Sequence, residues 1–584
     1  GPGRYIVAPV ATGKGLWHDG DLSIIEGEGE STEIQAKTST SSAAFCLIAP
    51  KDYDNIPGNA AYAGNPIYVR NLRLTSDCYA TSNTIDPSTF DADASNCHDL
   101  IGIGHCPWAK VENVGFEQGY YHAFEISVSK NVAVRDCYVY GTGNFSGPII
   151  EFDARGSMGI IDTGPPTSSP LENILIERFV QRTGRANTAI GGGASFVDGI
   201  LLSHTVSRGT NLRNVKIKDC VLVPHSDAAL TGTGSLFGAC IAWDSAAYPA
   251  VVDGLEISGC TFKGGGFTGS TKLIDLGCSG NASTWFRNIV IRNNFADCPM
   301  FRFIEVGTNG NYTDPGTSVT AANYASWVNC IVENNVARVS LNANPTAGAR
   351  PQRFIQAVGL RNLRIANNSI VVPSASLGSG WGSATIGSKN YGYHIADSQF
   401  VECIGNSFEM AMPTATISAM NIQAFTFSCG AMELSGSGPL PGFWDIRNNY
   451  VLGNGTIGNN LGAAYVELLA SPTTIRSAWA SAQNPSVRGI WDGNKSSNSG
   501  TFYQTLYTDF PVTTTLITSS AQTLSGMAAL GVHSNWMPTG DVVQTFSNAA
   551  VTVDPATTRL VQTGTMSASR VVTIPESRRR DSSG

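Results

Sequence analysis

Charge is scarce in this chain: Asp, Glu, Lys and Arg make up 14% of its 584 residues, well under the usual quarter. A sustained basic patch is missing too, and the net charge is −8. That excludes a nucleic-acid surface, because neutralising phosphates needs clustered Lys and Arg. The one basic run, Arg578 to Arg580, reads as a solvated tail. No apolar stretch is long enough to span a bilayer, no charged and apolar leader is present, and strong helical periodicity is hard to find. The thirteen cysteines lack the CxxC spacing of zinc sites. Their odd number and wide dispersal predict folding in a reducing compartment with few or no disulfides, and Cys137, Cys220 and Cys260 read as small core hydrophobes. The opening Gly1-Pro2-Gly3 reads as the scar of a removed tag, with a region upstream of it cut away.

What is abundant is Gly, Ser, Thr and Asn, together with a repeat. "SKNVAVRDC" at Ser129, "LENILIERF" at Leu171, "LRNVKIKDC" at Leu212, "VDGLEISGC" at Val252, "FRNIVIRNN" at Phe286, "WVNCIVENN" at Trp327 and "LRNLRIANN" at Leu360 share one pattern. It is Asn or Gly, then alternating apolar and polar residues, then a polar turn. "VRNLRLTSDC" at Val69 and "VENVGFEQG" at Val111 fit as earlier copies, and degenerate ones continue to Val487. The spacing varies from roughly 18 to 42 residues, more than propeller blades or leucine-rich repeats accept. A parallel β-helix accepts it, since its strands stack while its loops lengthen outward. Stacked coils put equivalent residues ~4.8 Å apart. Cys137, Cys220 and Cys260 then share one internal ladder, and the Asn positions share another at the bends.

Acids recur in a second pattern. "KLIDLG" at Lys272 and "RFIEVG" at Arg302 each place a carboxylate between two apolar residues, "CIAWDS" at Cys240 precedes them, and "FIQAV" at Phe354 has Gln in the same slot. Strand alternation turns Asp244, Asp275 and Glu305 outward on neighbouring rungs. Asp275 and Glu305 stack ~5 Å apart, while Asp244 lies roughly 8 Å away on the diagonal. A glycosidase needs an acid and a second carboxylate, ~5 Å apart for retention and ~6.5 to 9.5 Å for inversion. Crowding raises one pKa and keeps that acid protonated near neutrality. Glu151, Asp153, Asp198, Asp397 and Glu467 are weaker candidates of the same kind. Trp285, Trp381, Tyr248, Tyr391 and Tyr393 offer rings for sugar C–H faces. His225 in "PHSDAA" and the group "YGYHIAD" around His394 would instead suit a lyase, which abstracts a proton beside a uronate carboxyl and needs cations to neutralise it. No compact Arg or Lys set is evident near them. The Asp-rich "DADASNCHD" at Asp91 to Asp99 lacks the Gly and terminal Glu of a calcium loop and reads as solvated. No metal or cofactor is expected.

The segment Gly3 to Gln35, with "IIEGEGESTEI" after its first strand, resembles the first coils of the pectate-lyase-like β-helix superfamily. Within it, the long chain with wide loops looks most like the bacteriophage tailspike depolymerases. That resemblance implies an all-β, right-handed single-stranded parallel β-helix, a homotrimer, a bacterial capsular polysaccharide or exopolysaccharide as substrate, and attachment to a phage tail or baseplate through the upstream region. It further implies folding in the bacterial cytoplasm and action from the virion at the host surface. Residues 1–40 are expected to form the opening segment and first coils, 41–510 the polysaccharide-binding and catalytic β-helix, and 511–584 a small C-terminal β-domain. The last serves as a cap, a trimerisation module or a carbohydrate-binding module. Hydrolysis, β-elimination and non-catalytic glycan binding all stay open at this level, because fold alone does not choose among them.

Overall fold

The computed structural model describes residues 1–7, 14–18, 22–36, 45–50, 62–76, 97–117, 122–139, 149–153, 171–181, 197–202, 210–223, 239–242, 250–263, 272–278, 285–300, 302–308, 327–340, 353–372, 390–396, 398–411, 422–428, 442–454, 461–467, 487–492, 494–496, 505–507, 543–546, 551–552, 559–562 and 572–573. Nearly all of them are β, and every strand pairing is parallel. A typical turn of the chain runs through Trp285–Arg292, Phe295–Pro299 and Arg302–Thr308 before it reaches Trp327–Glu333. Trp327–Glu333 then pairs back onto Trp285–Arg292, and the same step of three strands repeats along the chain. One 25-stranded sheet collects the first two strands of each turn, and a 14-stranded sheet collects the third. Val543–Phe546 pairs with Arg559–Gln562, and Val551–Thr552 with Val572–Thr573, in two separate two-stranded sheets.

The alternation read in the repeats is what closes the core. Val132 and Val134, Ile174 and Ile176, Val215 and Ile217, and Ile289 and Ile291 are all buried, while the residues between them face out. Parallel strands bury these columns in one continuous apolar interior.

Two side-chain ladders fix the bends. Asn173 donates to Asn131, Asn214 to Asn173, Asn329 to Asn288 and Asn362 to Asn329, at 2.8–3.1 Å. Each of these residues has a left-handed backbone, φ 51–61°, which Asn tolerates better than other side-chain-bearing residues. Asn71 and Asn113 belong to a different stack. Asn113 donates to Asn71, whereas Asn131 reaches Pro107 O.

Six residues after the first bend, Cys137, Phe179, Cys220 and Cys260 occupy one buried column. The column then changes chemistry, because Cys260 N–H donates to Asn294 Oδ1, and Asn335, Asn368, Asn406, Asn449 and Asn494 follow. Every one of these amides also donates to a core-strand carbonyl, so no polar atom is stranded by burial. Nine cysteines on the described strands are buried thiols outside any disulfide, as the dispersed pattern predicts. Burial pushes the Cys137, Cys298 and Cys330 thiols up to about 12, which makes them poor nucleophiles.

Candidate active site

The 14-stranded sheet carries the acids. Its register runs Glu125, Glu151, Leu201, Ala242, Asp275, Glu305, Gln356, His394 along one line. Asp275 and Glu305 are therefore direct neighbours, as their spacing in the sequence predicts. Their surroundings differ from the open, solvated face expected of them. Leu273 and Ile274 are both fully buried, as are Phe303 and Ile304. Alternation breaks at that pair, and the residue before it comes to the same outer side as the acid three positions on.

Lys272 thus donates from Nζ to Asp275 Oδ2 at 2.6 Å and lies 2.7 Å from Glu305 Oε2. Arg302 closes on the same Glu305 oxygen. One rung further, Arg353 donates to Gln356 Oε1 at 3.0 Å, and Gln356 donates to Glu305 Oε1 at 3.1 Å. A Cβ on Gly277 would meet the Glu305 side chain at 3.2 Å, so the absence of a side chain there leaves room for the carboxylate.

The two carboxyls are driven apart in acidity. Burial, reinforced by the charge on Glu305, pushes Asp275 up to about 6 against the pull of Lys272. Burial works against ionisation of Glu305 too, but Arg302 and Lys272 outweigh it and hold that carboxyl well below the usual range. Exposure separates them as well: the Asp275 side chain keeps 15% of its surface, Glu305 only 3%. Below about pH 6 this arrangement offers a protonated, partly exposed acid beside a fixed negative charge. Because both carboxylate oxygens contact one ammonium nitrogen, they stay within the ~5–5.5 Å span of a retaining pair.

Two rungs of Leu201 and Ala242 separate this cluster from a second one, and Glu151 is ~14 Å from Asp275 along the ladder. Here His122 Nδ1 lies 2.9 Å from Asp99 Oδ1, and His122 Nε2 lies 2.8 Å from Glu151 Oε2. Ser127 Oγ donates to Glu125 Oε1 at 3.0 Å. All four titratable residues are buried. Burial opposes protonation of His122, but Glu151 and Asp99 override it and push the imidazole up to about 10. Asp99, His122 and Glu125 can jointly hold a metal ion, a group that the sequence reading, which expected no metal, did not assemble.

Asp99 corrects one expectation. Placed by sequence at the end of a solvated Asp-rich loop, it is fully buried on the Cys97–Gly104 strand. Tyr393 corrects another: offered as a sugar platform, it is a core residue, stacked on Phe425 at 4.6 Å with its hydroxyl donating to Asn368 O and Ser407 O. His394, one rung beyond Gln356, is buried, and burial together with Arg353 and Arg302 lowers its pKa well below the ordinary value. Trp285 heads a strand of the 25-stranded sheet, and Tyr391 is in register with Arg353. The side chains of both, and Asp244, His225, Tyr248 and Trp381 altogether, lie outside the described residues.

Missed by the sequence reading were the cations Lys272, Arg302 and Arg353, and the acceptor set around His122. A signal for the first was present, since K-L-I-D, R-F-I-E and R-F-I-Q repeat a basic residue three positions before the acid or amide.

No known protein family matches the chain. None of the curated proteins matches it either. Among solved structures, it is similar to the catalytic domain of a GH87 α-1,3-glucanase in complex with nigerose, at 12% identity and a TM-score of 0.30. A single-residue variant of that domain, also with nigerose, gives a TM-score of 0.31 at the same identity. In both cases the match covers 85% of this chain and 63% of the other, so the chain spans less than two thirds of that domain's length.

Proposed function

We propose that this protein is a glycoside hydrolase that cleaves within a polysaccharide chain, with Asp275 as the general acid and Glu305 as its ionised partner. The observation that carries this reading is the pair of neighbouring carboxylates pushed in opposite directions, Asp275 up and Glu305 down. Asp275 donates its proton to the glycosidic oxygen as the bond to C1 breaks. Glu305, the ionised member at retaining distance, stabilises or attacks the developing oxocarbenium carbon. The repeats and the opening segment support a finer identity: a right-handed parallel β-helix of the tailspike depolymerase kind, trimeric, with a C-terminal β-domain. Such a protein would act from a phage virion on the capsular polysaccharide or exopolysaccharide of its host after folding in the host cytoplasm.

A second reading has one specific observation in its favour. The compact cationic set of Lys272, Arg302 and Arg353 is what a lyase needs beside a uronate carboxylate. Two of the three already serve Glu305, which favours hydrolysis. The test is incubation with purified surface polysaccharides from a panel of bacteria, following reducing ends and ultraviolet absorbance together. Reducing ends without absorbance, lost in Asp275→Asn, support hydrolysis; absorbance from unsaturated ends moves the assignment to β-elimination. A polysaccharide that binds and releases no ends in either readout sinks the enzyme reading in favour of an adhesin.

A further inference from the structure

Position 356 breaks a series. Lys272 with Asp275, Arg302 with Glu305 and Arg353 with Gln356 repeat one arrangement on three successive strands of the sheet, a cation three residues before the group it contacts. Where the first two strands carry an acid, the third carries a neutral amide. A third acid would have flanked Glu305 with a carboxylate on each side, and like charges at that spacing cannot all stay ionised. The amide removes the conflict and adds a donor, because Gln356 Nε2 donates to Glu305 Oε1 at 3.1 Å.

Chemistry sets the direction of that hydrogen bond. A guanidinium only donates, so the Gln356 atom facing Arg353 Nη1 at 3.0 Å is the carbonyl oxygen, and the NH2 group is left to face Glu305. Flipping the amide would set NH2 against a cation and a carbonyl oxygen against a carboxylate. At 2% exposure, Gln356 has little water at hand to relieve such a flip. Glu305 is thereby held along the ladder in both directions: Oε1 by the rung after it, Oε2 by Lys272 from the rung before it and by Arg302 from its own strand. Turning the carboxylate about its bond to Cγ would break contacts on both oxygens at once.

We infer that Gln356, oriented by Arg353, is a positioning residue that fixes the rotation of the Glu305 carboxylate and assigns the negative charge of the pair to Glu305, leaving the proton to Asp275. Its consequence for turnover rests on the glycosidase reading above, whereas its effect on Glu305 is readable without substrate. Gln356 takes no part in the proton transfer and acts through Glu305; Arg353 acts one step further back. A carboxylate held in one rotation spends its time in the geometry that the reacting carbon requires.

The test compares Gln356→Met, which removes the donor, with Gln356→Glu, which keeps an acceptor for Arg353 but sets a third carboxylate beside Glu305. Both are made in the full chain with isotope-labelled Asp and Glu carboxyls. Glu305 and Asp275 are titrated by NMR, their signals assigned with Glu305→Gln and Asp275→Asn. Expected in Gln356→Met are a Glu305 titration moved to higher pH, a kcat lowered by about 10- to 100-fold, as for one hydrogen bond to a charged group, and a KM within about twofold. In Gln356→Glu the Glu305 titration should move further the same way. Combining Gln356→Met with Arg353→Met should cost no more than the larger single loss, since both act through one contact. A Glu305 titration that stays put in both variants overturns the inference, and so does a fall in Tm with titration and kcat unchanged, the mark of a packing role. Should Gln356→Met fail to fold, Gln356→Glu decides. If the wild-type protein cleaves no polysaccharide, the glycosidase reading falls, and the Glu305 titration still decides whether Gln356 holds that carboxylate.

Discussion

Along one ladder of one sheet, the chain solves the problem of buried carboxylates twice. At Asp275 and Glu305 the neutralising charge is covalent, carried by Lys272 and Arg302 on the same strands. Around Glu151 the partner is a neighbouring imidazole, His122, which reaches Asp99 with its other nitrogen, while Ser127 donates to Glu125. A built-in cation gives a fixed field and a carboxyl tuned to about 6, which suits proton transfer near neutral pH. A carboxylate pair bridged by one imidazole gives instead a His122 pushed up to about 10 between Asp99 and Glu151.

The comparison breaks most visibly at Asp275. Asp275→Asn should reduce polysaccharide cleavage by at least about 100-fold, the lower range for a general acid, with Tm and glycan binding retained. Unchanged turnover in that variant would remove the catalytic half of the contrast. Next in size, Lys272→Met leaves two carboxylates facing each other with Arg302 alone. It should destabilise the protein by about 3 kcal/mol, measured by denaturant unfolding.

A finer distinction comes from pH. Activity needs the protonated Asp275, so it should decline as pH rises through about 6. Glu305→Gln, which should itself lose activity, removes the charge that helps raise this carboxyl, so the Asp275 titration followed by NMR should move to lower pH. Asp275 also holds its proton more tightly folded than unfolded. Its contribution to stability is complete below its ordinary value of 3.8 and is lost as pH climbs toward about 6. Asp275→Asn should flatten that decline. Glu305 works in reverse, stabilising above the ordinary carboxylate range and losing its contribution on acidification. The smallest effects belong to the ladders remote from both clusters. Asn335→Ala, which breaks a buried amide chain, should cost about 1–3 kcal/mol, and the exposed Asn329→Gly only a few tenths, since glycine accepts φ 61°.

How much of this was legible in the sequence varies with the kind of interaction. Strand stacking was, because Val132, Ile174, Val215 and Ile289 recur at one offset from their Asn or Gly. Adjacency of Asp275 to Glu305 was too, because equal offsets in stacked strands become neighbours. The charge state of the pair was hidden by a local break in alternation at Leu273 and Ile274, which brings Lys272 to the side that strict period-two reading denies it. His122 and Asp99 stayed hidden for a different reason: they lie 23 residues apart and meet only through strand register. Asn71 and Asn113 looked like members of the Asn131 series, but identical dipeptides occur at both bends of a coil and the sequence does not say which.

The column of Asn294, Asn335, Asn368, Asn406, Asn449 and Asn494 has a meaning for descent as well as for stability. Each amide reads the position of the coil after it, so a slip of one residue would break every rung beyond the slip at once. The spacing from one Asn to the next varies from 33 to 45 residues while the rung itself is unchanged. Segments can therefore be lengthened, shortened or exchanged from one lineage to the next while the spine keeps count, and new specificities can be tried without the fold being put at risk.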